Sequence, residues 1–525
     1  MVVPELRPWR AARPRLARIA GAVRPRLARA ATAGRPRLAR LGRTVSAQVT
    51  RPKTWQYTAG AATAGLALAV GVVTAAGPWD SSGQRTAERD RAAAQEGTGG
   101  ADHGRSSDTA AKAPGPAPSA ASVLTGLGGA AGRVKAAPGS KALSTLLDPL
   151  LDVPALGARH SAAVVDVTTG KRLYGAGADT ALTPASTTKI ATAAAALSAL
   201  GPDHRLTTRT ALEPDTKELV LVGGGDPTLT AREDAEGLAS LRTLAEDTAA
   251  ALKKDGVREV TLSYDTTLYA GEELHPIGVN DNLAPVSALM ADEARTDDST
   301  SGPVPRVSEP AAEAARTFAD LIEDHGIRTT SPGPSKATAR AETLAEVSSP
   351  PLSALVERML TNSDNDIAEA LARHTAIATG ERPDLTGAGR AIRAELNKLG
   401  LPVKGTEFKD GSGLNRDNRL TADLLTALLA QSGDPARPEL RPILTGLPVA
   451  GFTGTLTSRY ADGAAGVVRA KTGTLTGVNA LAGTAVDSDG HLLAFAFLAT
   501  DTTNPAEAQS ALDKAATALA GCGCS

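Results

Sequence analysis

The sequence predicts an α/β (α+β) fold: a central antiparallel sheet flanked by helices, with a smaller mixed domain inserted into it. Three observations carry this. Strand-like segments lie early in the body, at 161–177, and again at its end, at 466–500. An almost wholly apolar helical run follows Ser186. Chemistry-bearing triplets sit at the seams between these elements.

"SAAVVDVTTGKRLYGAG" (161–177) reads as two strands around a Thr169–Gly170 turn. Pro184 breaks the chain before "IATAAAALSALG", which reads as a helix ending at Gly201-Pro202. A helix apolar nearly all round belongs at the centre of its domain. The segments 466–477, 478–490 and 491–500 read as consecutive strands, with Asp489-Gly490 as a hairpin turn. A helix follows Asn504-Pro505 and runs to about Leu519. The early and late parts therefore close one domain, 143–206 with 345–525, around an insertion at 207–344. Aromatic residues are only 2% of the 525, so the core must be built from Ala, Val and Leu.

The N-terminal region differs in kind. Residues 1–53 hold 13 Arg and one Lys against Glu5, a charge of +13 in a chain whose total is -1. "RPRLAR" recurs at 13–18, 24–29 and 35–40, and the proline in each copy opposes one continuous helix. The repeats read either as a tail that holds anionic lipid head groups or nucleic acid, or as a solvated leader with surplus topogenic charge; no specific nucleic-acid partner is predicted. Thr54–Trp79 carries no charge, and Thr58–Gly77 has about the twenty residues that span a bilayer. Trp55, Tyr57 and Trp79 flank it as interfacial aromatics, and the basic side belongs in the cytoplasm. The expectation for 54–79 is a single-pass anchor with the body outside, the alternative being a secretory signal cut before Ala76. Residues 80–142 read as a disordered linker. Cys522 and Cys524 are the only cysteines; a bond between residues two apart would be strained, and pairing between chains or free thiols are the alternatives.

Three short motifs carry the chemistry. Ser186 and Lys189 lie three apart and share a helix face. A serine hydroxyl needs a base to become a nucleophile, and a lysine serves only when burial or a nearby cation makes it neutral. Ser363-Asp364-Asn365 and Lys471-Thr472-Gly473-Thr474 supply a second hydroxyl, an amide and a second cation. Each motif alone reads as ordinary: a helix start, an N-cap for "IAEALARH", a solvated strand lysine. Together, in this order, they are the S-x-x-K, S-D-N and K-T-G set of penicillin-binding proteins and class A β-lactamases. In that chemistry Ser186 attacks an acyl carbon, Lys189 takes its proton and Ser363 relays it to the leaving nitrogen. Asn365 offers its amide to the lysine or the substrate. Lys471 lowers the pKa of Lys189 and attracts a substrate carboxylate, which also meets the hydroxyls of Thr472 and Thr474. The backbone N–H groups of Ser186 and Thr474 form the oxyanion hole, and Gly473 lets the strand edge approach the substrate.

Over roughly residues 144–520 the chain resembles the D-alanyl-D-alanine carboxypeptidase/endopeptidases, the low-molecular-mass class C penicillin-binding proteins. "LVGGGDPTLT" (221–230), "DGSGL" (410–414) and "LPVAGFTGTLTSR" (447–459) extend the likeness beyond the triplets. Lys189 and Ser363 are 174 residues apart, far more than in a compact β-lactamase, and the family is marked by an insertion here. Its full form nests two domains at this place, for which this insertion is short; "TLSYDTTLY", "LAPVSAL" and "RTFADLIEDHGI" read as mixed strand and helix. The resemblance implies a β-lactamase/transpeptidase-like catalytic domain and no metal or organic cofactor. It implies removal of the terminal D-alanine from peptidoglycan stem peptides, or cleavage of D-alanyl cross-links, with β-lactams as covalent inhibitors. Two rival readings are a serine β-lactamase or esterase on the same scaffold, and a non-catalytic wall-binding scaffold. Against the first, "AELNKLG" (394–400) puts Arg393 where a deacylating glutamate would stand, with Glu395 at a different position.

N-terminal sequencing of protein recovered from membranes is expected to find residues 58–77 retained; a mature terminus at Ala76 would replace the anchor with a cleaved signal.

Overall fold

The computed structural model describes residues 138–460 and 463–523. The basic head, the 54–79 segment, most of the linker and Cys524 lie outside the described residues; Cys522 is buried and disulfide-bonded. Among the described residues no helix is long and apolar enough to cross a membrane.

The described chain opens with α1 (Ser140–Leu151), β1 (Arg159–Asp166), β2 (Arg172–Ala176) and α2 (Thr188–Leu200). β3 (Thr207–Leu212), β4 (Glu218–Val222), α3 (Leu241–Lys254) and β5 (Glu259–Asp265) follow. Then come α4 (Pro310–Asp324), β6 (Arg328–Thr329), β7 (Gly333–Pro334) and β8 (Glu342–Ser348). A helical stretch holds α5 (Leu352–Asn362), α6 (Asn365–Ala378), α7 (Leu385–Lys398) and α8 (Ala422–Ser432). β9 (Val468–Leu475), β10 (Val478–Val486), β11 (Leu492–Thr500) and α9 (Pro505–Ala520) close it.

The main sheet has the order β2-β1-β11-β10-β9 and is antiparallel throughout. Both its faces are buried, and alternation sorts the side chains between two cores. In β11, Ala494, Ala496 and Leu498 face the helical layer, while Leu493, Phe495, Phe497 and Ala499 face α1 and α9. Phe495 and Phe497 stack at 5.0 Å. In α1, Leu143, Leu147 and Leu151 recur every fourth residue and are buried against this second core.

α2 is buried all round, as its composition predicts. Ala191 and Ala193 to Ala196 are fully buried, and these small side chains let α6 and α7 pack directly against it. The helix begins at Thr188, after a short 3-10 turn of Ala185–Thr187 that holds Ser186.

A second, mixed sheet runs β6-β5-β4-β3-β8, with β7 also on β5. α3 and α4 cover it through Leu244, Leu252, Phe318 and Ile322. β8 pairs with β3 from Glu342 to Ser348, so this sheet runs past the expected boundary at 344. Leu206 and Ser349 are joined by N–H to carbonyl and N–H to hydroxyl bonds of 2.8 and 3.0 Å. The insertion thus leaves and re-enters the main body at neighbouring points. "TLSYD" is strand β5 and "RTFADLIED" belongs to α4, but "LAPVSAL" (283–289) is irregular. Its backbone has other partners: Ala284 N–H goes to Asp366 and Val286 N–H to Glu273, while the Ala288 carbonyl accepts from Gly225.

Ala194→Leu would force a larger side chain into α2 where no space exists. It is expected to cost about 1–3 kcal/mol, read as a lower denaturant midpoint by far-UV circular dichroism; an unchanged midpoint would contradict this packing.

Candidate active site

The three motifs meet where α2, the α5–α6 junction and the edge strand β9 converge. A cavity of about 380 Å³ there is lined by Ser186, Ser363, Asn365, Thr472 and Thr474 together. Asn282, Arg295 and Arg306 of the insertion form part of its wall.

Ser186 sits in the turn before α2, with Ala185 held at φ 48°. Left-handed backbone is unfavourable for alanine, and such strain persists only where the surroundings enforce it. Ser186 is half-buried, while Lys189, one turn on, is fully buried. Lys189 Nζ lies 3.1 Å from Ser186 Oγ, 2.7 Å from Asn365 Oδ1 and 2.6 Å from the Ser412 carbonyl. Asn365 cannot be reversed without loss, because its Nδ2 donates to the Asn282 carbonyl at 2.8 Å. Two of the amine's partners therefore only accept. A neutral amine has two N–H bonds for them and one lone pair, which is left for the Ser186 hydroxyl proton.

Burial pushes the Lys189 amine down to about 8. The carboxylates of Asp410, Asp364, Glu369 and Asp366 pull the other way and are outweighed. The expectation that Lys471 sets this value needs correcting: loss of water is the leading cause. Lys471 is itself fully buried, and its amine is held well below its ordinary value first by burial, then by Lys189 and Arg459. Its Nζ donates to the Thr472 carbonyl at 2.9 Å.

Ser363 caps the C-terminus of α5 in the left-handed region (φ 60°, ψ 38°). The N-cap of α6 is Asp364, which accepts from Ile367 N–H at 3.0 Å, so Ser363 is not the cap that its sequence also allowed. Ser363 lines the cavity, and its hydroxyl makes no hydrogen bond to Ser186 or Lys189 among the described residues. Thr472 Oγ1 donates to Thr455 Oγ1 at 3.0 Å, bringing in a threonine from "LPVAGFTGTLTSR" that the motifs had not singled out. Thr474 lies on the sheet-edge strand β9 and in the same cavity as Ser186. Gly473 is also required by the packing of its own strand. A Cβ there would stand 2.6 Å from the Pro184 carbonyl and 3.2 Å from Ala185 Cβ, so the glycine lets β9 abut the Ser186 turn.

Sequence reasoning missed the loop behind the lysine. Within "DGSGL", Ser412 gives its carbonyl to Lys189, and Glu369 accepts the N–H groups of Gly411 and Ser412 at 3.0 and 2.9 Å. Gly413 has φ 87°, and a Cβ would lie 2.0 Å from the Ala185 carbonyl. The clustering of Asp, Ser and two glycines was the available signal; the partners lie too far along the chain to be read.

Among the described residues two groups place metal-ligand types within 4.8 Å: Glu293, Asp364 and Asp366, and His275, Glu369 and Asp410. The first is met by arginines, with Arg295 and Arg358 on Glu293 at 2.8 and 2.6 Å and Arg306 on Asp366 at 2.8 Å. Burial, then Asp364, pushes Glu293 up to about 8. In the second, Asp410 and Glu369 are engaged by backbone N–H groups. Glu395 lies away from the nucleophile: it accepts from Ser198 at 2.8 Å, twelve residues along α2 from Ser186, or about 18 Å.

The family model for D-Ala-D-Ala carboxypeptidase 3 (S13) matches residues 143–305 and 296–519. A carboxypeptidase of Mycobacterium tuberculosis is 34% identical over 79% of this chain and 91% of its own length. The carboxypeptidase DacB of Mycolicibacterium smegmatis is 36% identical over 74% of this chain and 85% of its own. A D-alanyl-D-alanine carboxypeptidase of an Actinomadura species is 32% identical over 69% and 81%. Among solved structures, penicillin binding protein 4 of Haemophilus influenzae superposes with a TM-score of 0.60 at 22% identity. It covers 72% of this chain and 98% of that one, and the likeness establishes the fold. The same Haemophilus protein is also solved with a β-lactam (TM-score 0.57, 22% identity).

Gly473→Ala is expected to prise β9 from the Ser186 turn. Covalent labelling by a fluorescent penicillin should fall by about tenfold or more, with a stability loss of about 1–3 kcal/mol; wild-type labelling would refute the close approach as its role.

Proposed function

Because the chain belongs to the D-Ala-D-Ala carboxypeptidase 3 (S13) family, we propose that it is a serine DD-peptidase acting on peptidoglycan stem peptides through an acyl-enzyme on Ser186. The observation that carries this reading is the buried Lys189 amine between two obligate acceptors and the Ser186 hydroxyl.

Lys189 takes the Ser186 proton as Oγ attacks the carbonyl carbon of the penultimate D-alanine. The oxyanion is held by the backbone N–H groups of Ser186 and Thr474, and the Ser363 hydroxyl relays the proton from Lys189 to the leaving nitrogen, ending as the hydroxyl it began as. Thr472 and Thr474, which line the cavity beside Thr455, receive the carboxylate of the departing D-alanine, with Lys471 buried behind them on the same strand. Water then frees the trimmed peptide. A D-alanyl cross-link is cut by the same steps when a second peptide is the leaving group. β-Lactams acylate Ser186 and leave slowly, a reading supported by Glu395 being bound to Ser198 rather than near the nucleophile. This argues against the β-lactamase alternative, and the assembled cavity argues against a non-catalytic scaffold.

The protein is anchored by 54–79 with its body outside the cell membrane, and the 1–53 head lies against anionic lipid on the cytoplasmic side. Support for this part comes from the charge step and aromatic flanks of the sequence.

Ser186→Ala should abolish covalent penicillin labelling, and retained labelling would sink the enzyme reading. Acylation per active site should rise with pH and level off above about 8, since the neutral amine is the reacting form and its fraction grows as pH passes its pKa. Lys189→Met should lose about 10²–10⁴-fold in acylation rate. A flat profile from pH 6 to 9 would remove Lys189 as the base.

A further inference from the structure

The insertion touches the catalytic apparatus at a buried histidine that the mechanism above does not use. His275 is 3% exposed and its Nε2 lies 3.1 Å from Asp410 Oδ2. Ile277 N–H donates to its Nδ1 at 3.3 Å. That bond decides the tautomer: Nδ1 is an acceptor, so the neutral ring carries its proton on Nε2 and donates it to Asp410.

Asp410 organises the next five residues. Its Oδ1 accepts from Gly413 N–H at 2.8 Å and from Asn418 Nδ2 at 2.6 Å, and its Oδ2 accepts from Asn415 N–H at 2.5 Å. Glu369 takes the Gly411 and Ser412 amides from the other side. With its amides held on both sides, the loop presents the Gly411 carbonyl to Thr192 and the Ser412 carbonyl to Lys189, each at 2.6 Å. The other charged groups facing this cluster are Arg373, 3.6 Å from Glu369, and Lys189 itself.

We propose that His275 is a positioning residue for acylation: as an Nε2–H donor it locks Asp410 and so fixes the Ser412 carbonyl against Lys189. This rests on the reading of Lys189 as the base. Burial alone would push Asp410 up, but the hydrogen bonds from His275, Asn415 and Asn418 outweigh it and hold the carboxyl below its ordinary value. Without the His275 donor, Asp410 protonates more readily, and a protonated Asp410 gives up an acceptor to the loop. The same segment backs the amine's other acceptor, since Asn282 holds Asn365. The insertion therefore reaches both acceptors of the catalytic amine.

The test compares full-length wild type with His275→Leu, His275→Gln and Lys189→Met. Fluorescent penicillin gives the acylation rate constant per titrated site and, separately, the concentration for half-maximal rate, so unfolded molecules drop out. His275→Leu should lose about tenfold or more in rate constant with the half-maximal concentration within about twofold. His275→Gln, whose amide nitrogen reaches the place of Nε2, should recover most of the rate. A wild-type rate constant in His275→Leu, or a Gln variant as slow as Leu, overturns the proposal. If the Leu variant does not fold, Gln is compared with the shorter Asn, and equal rates overturn it. If Lys189→Met keeps its rate, the base assignment falls and this proposal with it; if Lys189→Met is inert while His275→Leu is at full rate, only this proposal falls.

Discussion

Everything around Ser186 answers one constraint: an amine taken wholly out of water must be neutral, or paired, or it destabilises the fold by several kcal/mol. Lys189 is placed between these outcomes. Burial drives it toward neutrality, and a ring of carboxylates at Asp410, Asp364, Glu369 and Asp366 resists. The balance leaves a base that is partly neutral near physiological pH and still strong enough to take a hydroxyl proton. A lysine in a purely apolar pocket would be a weaker base, and one ion-paired at the surface would stay charged.

Holding that amine requires backbone that would not otherwise be chosen. Ala185 and Ser363 are non-glycine residues in the left-handed region, and Gly413 approaches Ala185 too closely for any side chain. Each lies on a different segment, and each borders the nucleophile or its partners. Such strain costs of the order of 1–3 kcal/mol per residue. The surrounding cores supply the compensation: α2 buried in alanine on one side of the sheet, Phe495 and Phe497 on the other.

The parts of the site that were legible in the sequence are those that neighbours in the chain determine. Ser186 and Lys189 meet because three residues make nearly a turn, and Lys471, Thr472 and Thr474 are ordered by one strand. The three motifs, the main-sheet strands and α9 could be read this way. Contacts fixed by tertiary approach could not. His275 and Asp410 are 135 residues apart, Asn282 and Asn365 are 83 apart, and no local pattern links them. The packing role of Gly473 was hidden for the same reason: its tight contact is with Pro184 and Ala185, nearly three hundred positions earlier in the chain. The part played by Lys471 was overstated because charge is visible in a sequence and burial is not.

The pairing of β1 with β11 has a consequence in time. Arg159 and Thr500 are 341 residues apart, so a chain emerging N-terminus first exposes β1 long before its partner exists. The inserted segment closes on itself between Leu206 and Ser349 and can complete its own sheet earlier. Lys471 and the edge strand that faces Ser186 come still later. The strand that completes the catalytic cavity is thus among the last parts of the chain to be made, so assembly of the site follows that of the inserted sheet in order of synthesis.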